Sequence, residues 1–70
     1  MALKYKAITV GSRWVVKFGR ENLDDDIIII TKTRGEDVEY EWETPDAHGN
    51  HIWGSRTRPE FYATFRYLEG

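Results

Sequence analysis

Apolar and polar residues alternate most regularly in the middle of the chain, where residues 38–43 read VEYEWE. In this order Val38, Tyr40 and Trp42 occupy every second position, and three glutamates occupy the positions between and after them. Because successive side chains of a β-strand point to opposite faces of the sheet, the pattern predicts a half-buried antiparallel strand. The apolar set then faces the core and the carboxylates face water.

Three other segments are typical of strands separated by short turns. Residues 14–18 (WVVKF) are predicted to form the first strand, and residues 27–31 (IIIIT), rich in β-branched side chains, the strongest one. Residues 51–56 (HIWGSR) form a further hairpin strand, in which Gly54 marks a bulge or a close backbone approach. Because the isoleucine run does not alternate, we expect both of its faces to be covered, by the core or by a partner.

The C-terminal segment changes to a helical period. Thr57 and Glu60 have the spacing of a capping box, and aromatic residues recur four positions apart. The pattern predicts one short helix or 3₁₀ turn over about residues 59–65, followed by a short last strand at 67–68. The predicted core consists of Trp14, Val16, Phe18, Ile28, Ile30, Val38, Tyr40, Trp42, Ile52, Phe61, Phe65 and Leu68.

Length and composition indicate one domain over residues 1–70, with its core in 8–68 and a flexible segment at 1–7. A domain this small buries little of its surface, and without cysteine it has no disulfide to compensate. Ten aromatic residues, each with a large side chain, can fill a compact core that compensates for the absent disulfide. The absence of cysteine, of a signal peptide and of a long apolar run predicts a cytoplasmic protein with no membrane partner.

The net charge of −2 hides a strong segregation along the chain. Residues 1–20 carry five basic side chains and no acidic one, whereas residues 21–50 carry ten acidic side chains against two basic ones. Such segregation can steer a charged partner. Alternatively, basic and acidic strands lie side by side and neutralise each other.

Three short motifs carry a family resemblance. Residues 11–14 read Gly-x-x-Trp, a glycine turn precedes Val-x-Tyr within 35–40, and residues 61–65 read Phe-x-x-x-Phe. With these motifs, residues 8–68 resemble a loose class of small SH3-like proteins, many of them from bacteriophages and bacteria. The resemblance implies a mainly β fold, a small five-stranded SH3-like barrel with one short C-terminal helix or 3₁₀ turn. It implies no shared activity.

An acidic strand face is the first candidate binding site. Alternate carboxylates along a strand lie about 6.6 Å apart, a spacing similar to that of phosphates along a nucleic-acid strand. The face could therefore occupy a basic site on another protein, such as a nucleic-acid-binding enzyme. Alternatively, it is a solvated face paired across strands with Lys17, Lys32, Arg34 or Arg56. The candidate residues are Asp24, Asp25, Asp26, Glu36, Asp37, Glu39, Glu41, Glu43 and Asp46.

Nucleic-acid binding through aromatic and basic side chains is the second hypothesis, because bases stack on aromatic rings and phosphates attract guanidinium groups. An outward-facing Trp53 would serve this role, although a bend at Gly54 could instead bury both Ile52 and Trp53. The residues of this alternative are Trp53, Tyr62, Arg13, Arg56 and Arg58. A third hypothesis is a homo-oligomer in which an edge strand or the isoleucine run pairs with its own copy.

Catalytic and metal motifs are missing from the sequence. His48 and His51 flank a turn close to Asp46, but two imidazoles and one carboxylate rarely complete a zinc site. The triplet at residues 24–26 lacks the glycine and distal glutamate of a calcium loop. No nucleophile elbow, phosphate loop or HExxH motif occurs. We therefore expect neither an enzyme nor a cofactor.

Together these patterns predict a small non-enzymatic binding module, encoded by a phage or mobile element. It would bind a host protein stoichiometrically through its acidic strand face, as a monomer or small homo-oligomer. Inhibition of a host or defence enzyme is one concrete form of this function.

Overall fold

A computed structural model describes residues 6–17 and 27–69. Five antiparallel strands in one open sheet and one short C-terminal helix confirm the predicted mainly β fold. The elements are β1 (Arg13–Val16), β2 (Ile27–Arg34), β3 (Asp37–Trp42), β4 (Trp53–Thr57), α1 (Arg58–Thr64) and β5 (Phe65–Glu69).

The strands lie in the order β4-β3-β2-β1-β5. A tight turn joins β2 to β3, where Gly35 has a φ of 56°, a left-handed conformation that glycine adopts without steric cost. From β4, the edge strand on one side, α1 carries the chain to β5, the edge strand on the other side. The helix therefore crosses the sheet, and its residue Phe61 is fully buried.

The core lies between the inner face of the sheet and α1. The ring of Phe61 packs edge-on against Trp14, with centroids 4.9 Å apart, and lies 4.8 Å from the ring of Phe65. The ring of Tyr40 contacts Phe65 at 5.2 Å. The buried cluster contains Ile8, Trp14, Ile28, Ile30, Val38, Tyr40, Phe61 and Phe65. Aromatic side chains thus supply most of the volume of a small core, as the composition indicates.

A bulge in β2 changes which side chains reach each face. Ile30 pairs with Tyr40, but the next pair is Lys32 with Glu39, so Thr31 is the extra residue. After the bulge, Thr33 pairs with the buried Val38, and Lys32 shares the outer face with Glu39. The bulge therefore ends the apolar run of β2 and lets a basic side chain face the acidic strand.

Most of the predicted core is confirmed, with one error. Val16 and Trp42 are half-buried and pack against the core cluster, and Leu68 is half-buried in β5. Ile52 is 50% exposed, so its predicted core position is wrong. The reason is that β4 begins at Trp53 rather than at residue 51, which leaves Ile52 in the connecting segment. The predicted core position Phe18 lies outside the described residues, as do residues 1–5 of the segment predicted to be flexible.

The isoleucine run is buried on its inner face and only partly covered on its outer face, where Ile29 is half-buried. Ile28 and Ile30 belong to the core cluster on the inner face. On the outer face, Ile27 is 6% exposed, and its register partner Val15 is completely buried. Among the residues that the structure describes, no helix is long and apolar enough to cross a membrane.

Candidate protein-binding surface

The carboxylates of β3 share the outer face of the sheet. Val38 and Tyr40 are buried on the inner face, so Glu39 and Glu41 lie on the other one. Glu39 pairs in register with Lys32 on β2 and with Ser55 on β4. This arrangement confirms the alternation of residues 38–43.

Few of these carboxylates form salt bridges with the described residues. Across the two described segments, salt bridges shorter than 4.0 Å join only Arg13 to Glu43 and to Glu69. Lys32 and Arg34 lie opposite Glu39 and Asp37 in the register, but neither forms an ion pair with its neighbour. Lys32 does face Glu39, whereas Glu41 lies opposite Ile29 and Trp53, so cross-strand pairing does not account for Glu41.

Glu43 has a structural role instead. The Nε and Nη2 of Arg13 donate to its two carboxylate oxygens, each at 2.7 Å, and Nη1 of Arg13 donates to Glu69. These hydrogen bonds lower the pKa of the Glu43 carboxyl and raise the pKa of the Arg13 guanidinium. We call this group of three residues the Arg13 clamp; it ties β1 to β5 and to the residue that follows β3.

Asp46 and Glu36 lie in turns outside β3. Asp46 accepts hydrogen bonds from the backbone N–H of His48 at 2.8 Å and of Asn50 at 2.9 Å, so its carboxylate builds a turn. Glu36 lies in the turn between β2 and β3. Residues 24–26 lie outside the described residues. The described acidic face is thus reduced to Asp37, Glu39 and Glu41.

A depression of about 280 Å³ opens beside Glu41. Trp53 of β4 lies opposite Glu41 in the register, with 66% of its surface exposed. The depression, which we call the acidic depression, is lined by Ile29, Thr31, Glu41, Trp42, Glu43 and His51. The outer face therefore carries an exposed indole directly across from Glu41, one of the carboxylates that line the depression, although Trp53 itself is not a lining residue.

The sequence does not predict this combination, although Glu41, Glu43 and Trp53 are each candidate residues. Ile29 and Thr31 are predicted only as parts of a strand, and the bulge at Thr31 has no clear sequence signal. The register that places Trp53 beside Glu41 depends on the length of the β3–β4 connection, which a single sequence does not fix.

The residues proposed for nucleic-acid binding do not form one surface. Trp53 lies on the outer face, whereas the Nε of Arg56 donates to the Tyr40 hydroxyl at 3.1 Å. The Nε of Arg58 donates to the carbonyl of Gly35 at 2.7 Å, and Arg13 belongs to the clamp. Tyr62 lies on α1, near β1 and β5.

A different aromatic and basic groove lies at Tyr62. It encloses about 130 Å³ between β1, α1 and β5. The Nζ of Lys6 lies 4.8 Å from the centre of the Tyr67 ring, and the Tyr62 hydroxyl donates to the carbonyl of Lys6 at 2.6 Å. The groove, which we call the basic groove, is lined by Lys6, Trp14, Lys17, Tyr62, Phe65, Arg66 and Tyr67. The sequence does not predict that Lys6 and Lys17 line such a groove, because only the fold brings these two residues against Tyr62 of α1.

Neither histidine lies in a metal-binding cluster. His51 places Nδ1 3.0 Å from the carbonyl oxygen of Trp42, and the backbone of His48 takes part in the Asp46 turn. Within the described parts of the chain, no group of three histidine or acidic side chains could hold a metal ion.

The geometry is the main source of functional information for this chain. Comparisons with protein families, with curated proteins and with solved structures gave no match.

Proposed function

We propose that this protein is a small, non-enzymatic binding module that holds a basic surface of a partner protein on the outer face of β3 and β4. The observation that carries the proposal is the position of Trp53, 66% exposed and directly opposite Glu41, which lines the acidic depression. A large apolar side chain left in water beside a concave surface is typical of protein-binding sites.

The two components of the surface have different roles in this proposal. Tryptophan contributes much of the affinity of protein interfaces, because it buries a large area and loses few rotamers. The carboxylates of Glu39 and Glu41 select partners with a basic surface and accelerate their association. A host protein, including an enzyme that the module would inhibit, remains the proposed partner. The order of the five strands and the short helix before the last one support the proposed relation to small SH3-like proteins.

Affinity capture with single variants tests the proposal. The wild-type chain is immobilised and exposed to lysate of its host, and the recovered proteins are compared with those recovered by Glu41→Lys and Trp53→Ala. We expect a stoichiometric partner that both variants lose at least tenfold. Glu36→Lys is the matched control, since it makes the same charge change in the β2–β3 turn and should keep the partner.

The proposal is wrong if Glu41→Lys recovers the same partner in the same amount as the wild type. Glu43 is unsuitable for this test, because its substitution also breaks the Arg13 clamp.

Nucleic-acid binding is the second candidate function, and the basic groove favours it. Three cationic side chains, Lys6, Lys17 and Arg66, border the groove together with the rings of Tyr62 and Tyr67. Phosphate attraction and stacking on aromatic rings are the two components of single-strand binding. Fluorescence anisotropy of a labelled oligonucleotide at low salt tests this function. Binding that weakens with salt and with Arg66→Ala supports it, and no binding at low salt rules it out.

A further inference from the structure

We propose that the acidic depression holds an arginine side chain of the partner, with its guanidinium group on Glu41 and its flat face against Trp53. This inference rests on the proposed function and names the chemistry of the residue that the partner inserts.

The size of the depression fits one long side chain. Its volume of about 280 Å³ is slightly below the range of roughly 300–1,000 Å³ typical of sites for drug-sized molecules. Ile29 and Thr31 are among the lining residues and can contact the methylene groups of such a side chain. Glu41 lines the same depression, so the charged end of the occupant has an acceptor besides Glu43, which Arg13 already binds.

The charge of the depression calls for a cation from another molecule. Glu41 forms no hydrogen bond or ion pair with the described residues, although it is half-buried between Ile29 and Trp53. Arg13, in the same cross-strand row, is already bound to Glu43 and Glu69, and Lys32, which lies opposite Glu39, forms no ion pair with Glu41. A basic side chain of the partner therefore complements a carboxylate that forms no ion pair with the described residues.

Arginine suits the depression better than lysine. A guanidinium group is planar, stacks on aromatic faces and donates two parallel hydrogen bonds to one carboxylate. Side chains directly opposite each other on neighbouring strands have Cβ atoms about 4.5–5.5 Å apart. One guanidinium group can therefore reach the Glu41 carboxylate and the Trp53 indole together, whereas an ammonium group acts as a compact point charge.

Nuclear magnetic resonance titration at low ionic strength tests this inference without knowledge of the partner. The probe is Nα-acetyl-arginine amide, and its neutral isostere Nα-acetyl-citrulline amide is the control ligand. We expect arginine amide to shift the indole N–H of Trp53 and the methyl groups of Ile29 in a saturable manner. Citrulline amide should produce smaller shifts that do not saturate over the same range.

Two isosteric substitutions separate the contribution of charge to binding from the contribution of side-chain shape. Glu41→Gln should weaken binding of arginine amide about fivefold, the effect of a solvent-accessible ion pair. Glu36→Gln makes the same change in the turn and should leave the dissociation constant unchanged. The dispersion of the amide spectrum verifies that both variants are folded.

Equal shifts from arginine amide and citrulline amide, shifts confined to the basic groove, or no shift at all would overturn the inference. Its failure can be told apart from failure of the proposed function. If the captured partner depends on Glu41 and Trp53 but arginine amide does not bind, the arginine inference fails alone. If arginine amide binds but no captured partner depends on these residues, the proposed function fails alone.

Discussion

Gly54 is the residue that makes room for the ring of Tyr40. A Cβ atom at position 54 would lie 2.9 Å from the Tyr40 hydroxyl oxygen and 3.0 Å from its Cζ. The ring cannot easily move away, because it packs against Phe61 and Phe65 and its hydroxyl accepts a hydrogen bond from Arg56. The absence of a side chain at position 54 is thus a packing requirement of the core.

Gly54→Ala should therefore destabilise the protein by about 1–3 kcal/mol, the range for overpacked sites. Urea denaturation followed by circular dichroism measures this loss. In a Tyr40→Phe background the nearest contact is removed, and the same substitution should cost less. An alanine variant as stable as the wild type would show that Tyr40 does not lie over Gly54.

Ser12 provides the polar partner of a buried indole. The Nε1 of Trp14 donates to the Ser12 hydroxyl at 2.9 Å, and this hydroxyl donates to the carbonyl of Thr9 at 2.6 Å. Both side chains are buried, with 2% of Trp14 and 1% of Ser12 exposed. The chain of hydrogen bonds satisfies the indole N–H where water does not reach it.

Ser12→Ala leaves that N–H without its acceptor, so we expect a loss of about 1–3 kcal/mol in the free energy of unfolding. Ser55→Ala, on the exposed outer face of β4, is the matched control and should change stability by less than about 0.5 kcal/mol. Chemical denaturation of both variants measures the difference. Equal stabilities of the two variants would contradict the role of Ser12.

At the scale of elements, the Arg13 clamp joins strands that are far apart in sequence. Arg13 belongs to β1, Glu69 ends β5, and Glu43 directly follows β3. The backbone N–H of Glu43 also donates to the carbonyl of Ile27 at 2.9 Å, which fixes its position beside β2. The clamp thus connects one edge of the sheet to its centre.

The clamp predicts a pH dependence of stability. Hydrogen bonds from Arg13 lower the pKa of Glu43 in the folded state. The contribution of the Glu43 carboxylate to folding stability is therefore complete above the ordinary carboxyl pKa, and it is lost as the pH falls through the lowered pKa. Glu43→Gln should reduce the thermal midpoint at neutral pH, and the difference from the wild type should shrink under acidic conditions. A difference that stays constant down to strongly acidic pH would contradict this assignment.

Most elements follow from the sequence, because their patterns are local. The alternation of residues 38–43 is reproduced in β3, and the helix predicted over about 59–65 forms at 58–64. The error at Ile52 has a non-local cause, since the start of β4 is set by its pairing with β3. The same pairing places Trp53 beside Glu41, so the candidate site was predicted as separate residues and not as a surface.

At the scale of the whole molecule, Phe61 connects α1 to the core residues of three strands. Its ring is completely buried and contacts Trp14, Tyr40 and Phe65, with centroids 4.8–6.0 Å apart. These partners belong to β1, β3 and β5. A helix of seven residues is unstable alone, so its formation depends on this contact.

Phe61→Ala should cost about 3–5 kcal/mol, a large share of the roughly 5–15 kcal/mol that stabilises a typical domain. We expect a substantially unfolded chain at 37 °C, observed as loss of dispersion in the amide spectrum. Phe61→Leu keeps most of the volume and should remain folded. A well-folded alanine variant would show that the sheet does not need α1.

The Arg13 clamp has a practical consequence for attachment. Glu69, the last residue of β5, is bound to Arg13, which also binds Glu43 in the lining of the acidic depression. A fluorescent reporter or an affinity tag fused directly after Glu69 would therefore emerge beside this depression, so a long flexible spacer is needed to keep the outer face of β3 and β4 accessible. Attachment chemistry directed at lysines is no substitute, since Lys32 lies on that face while Lys6 and Lys17 line the basic groove.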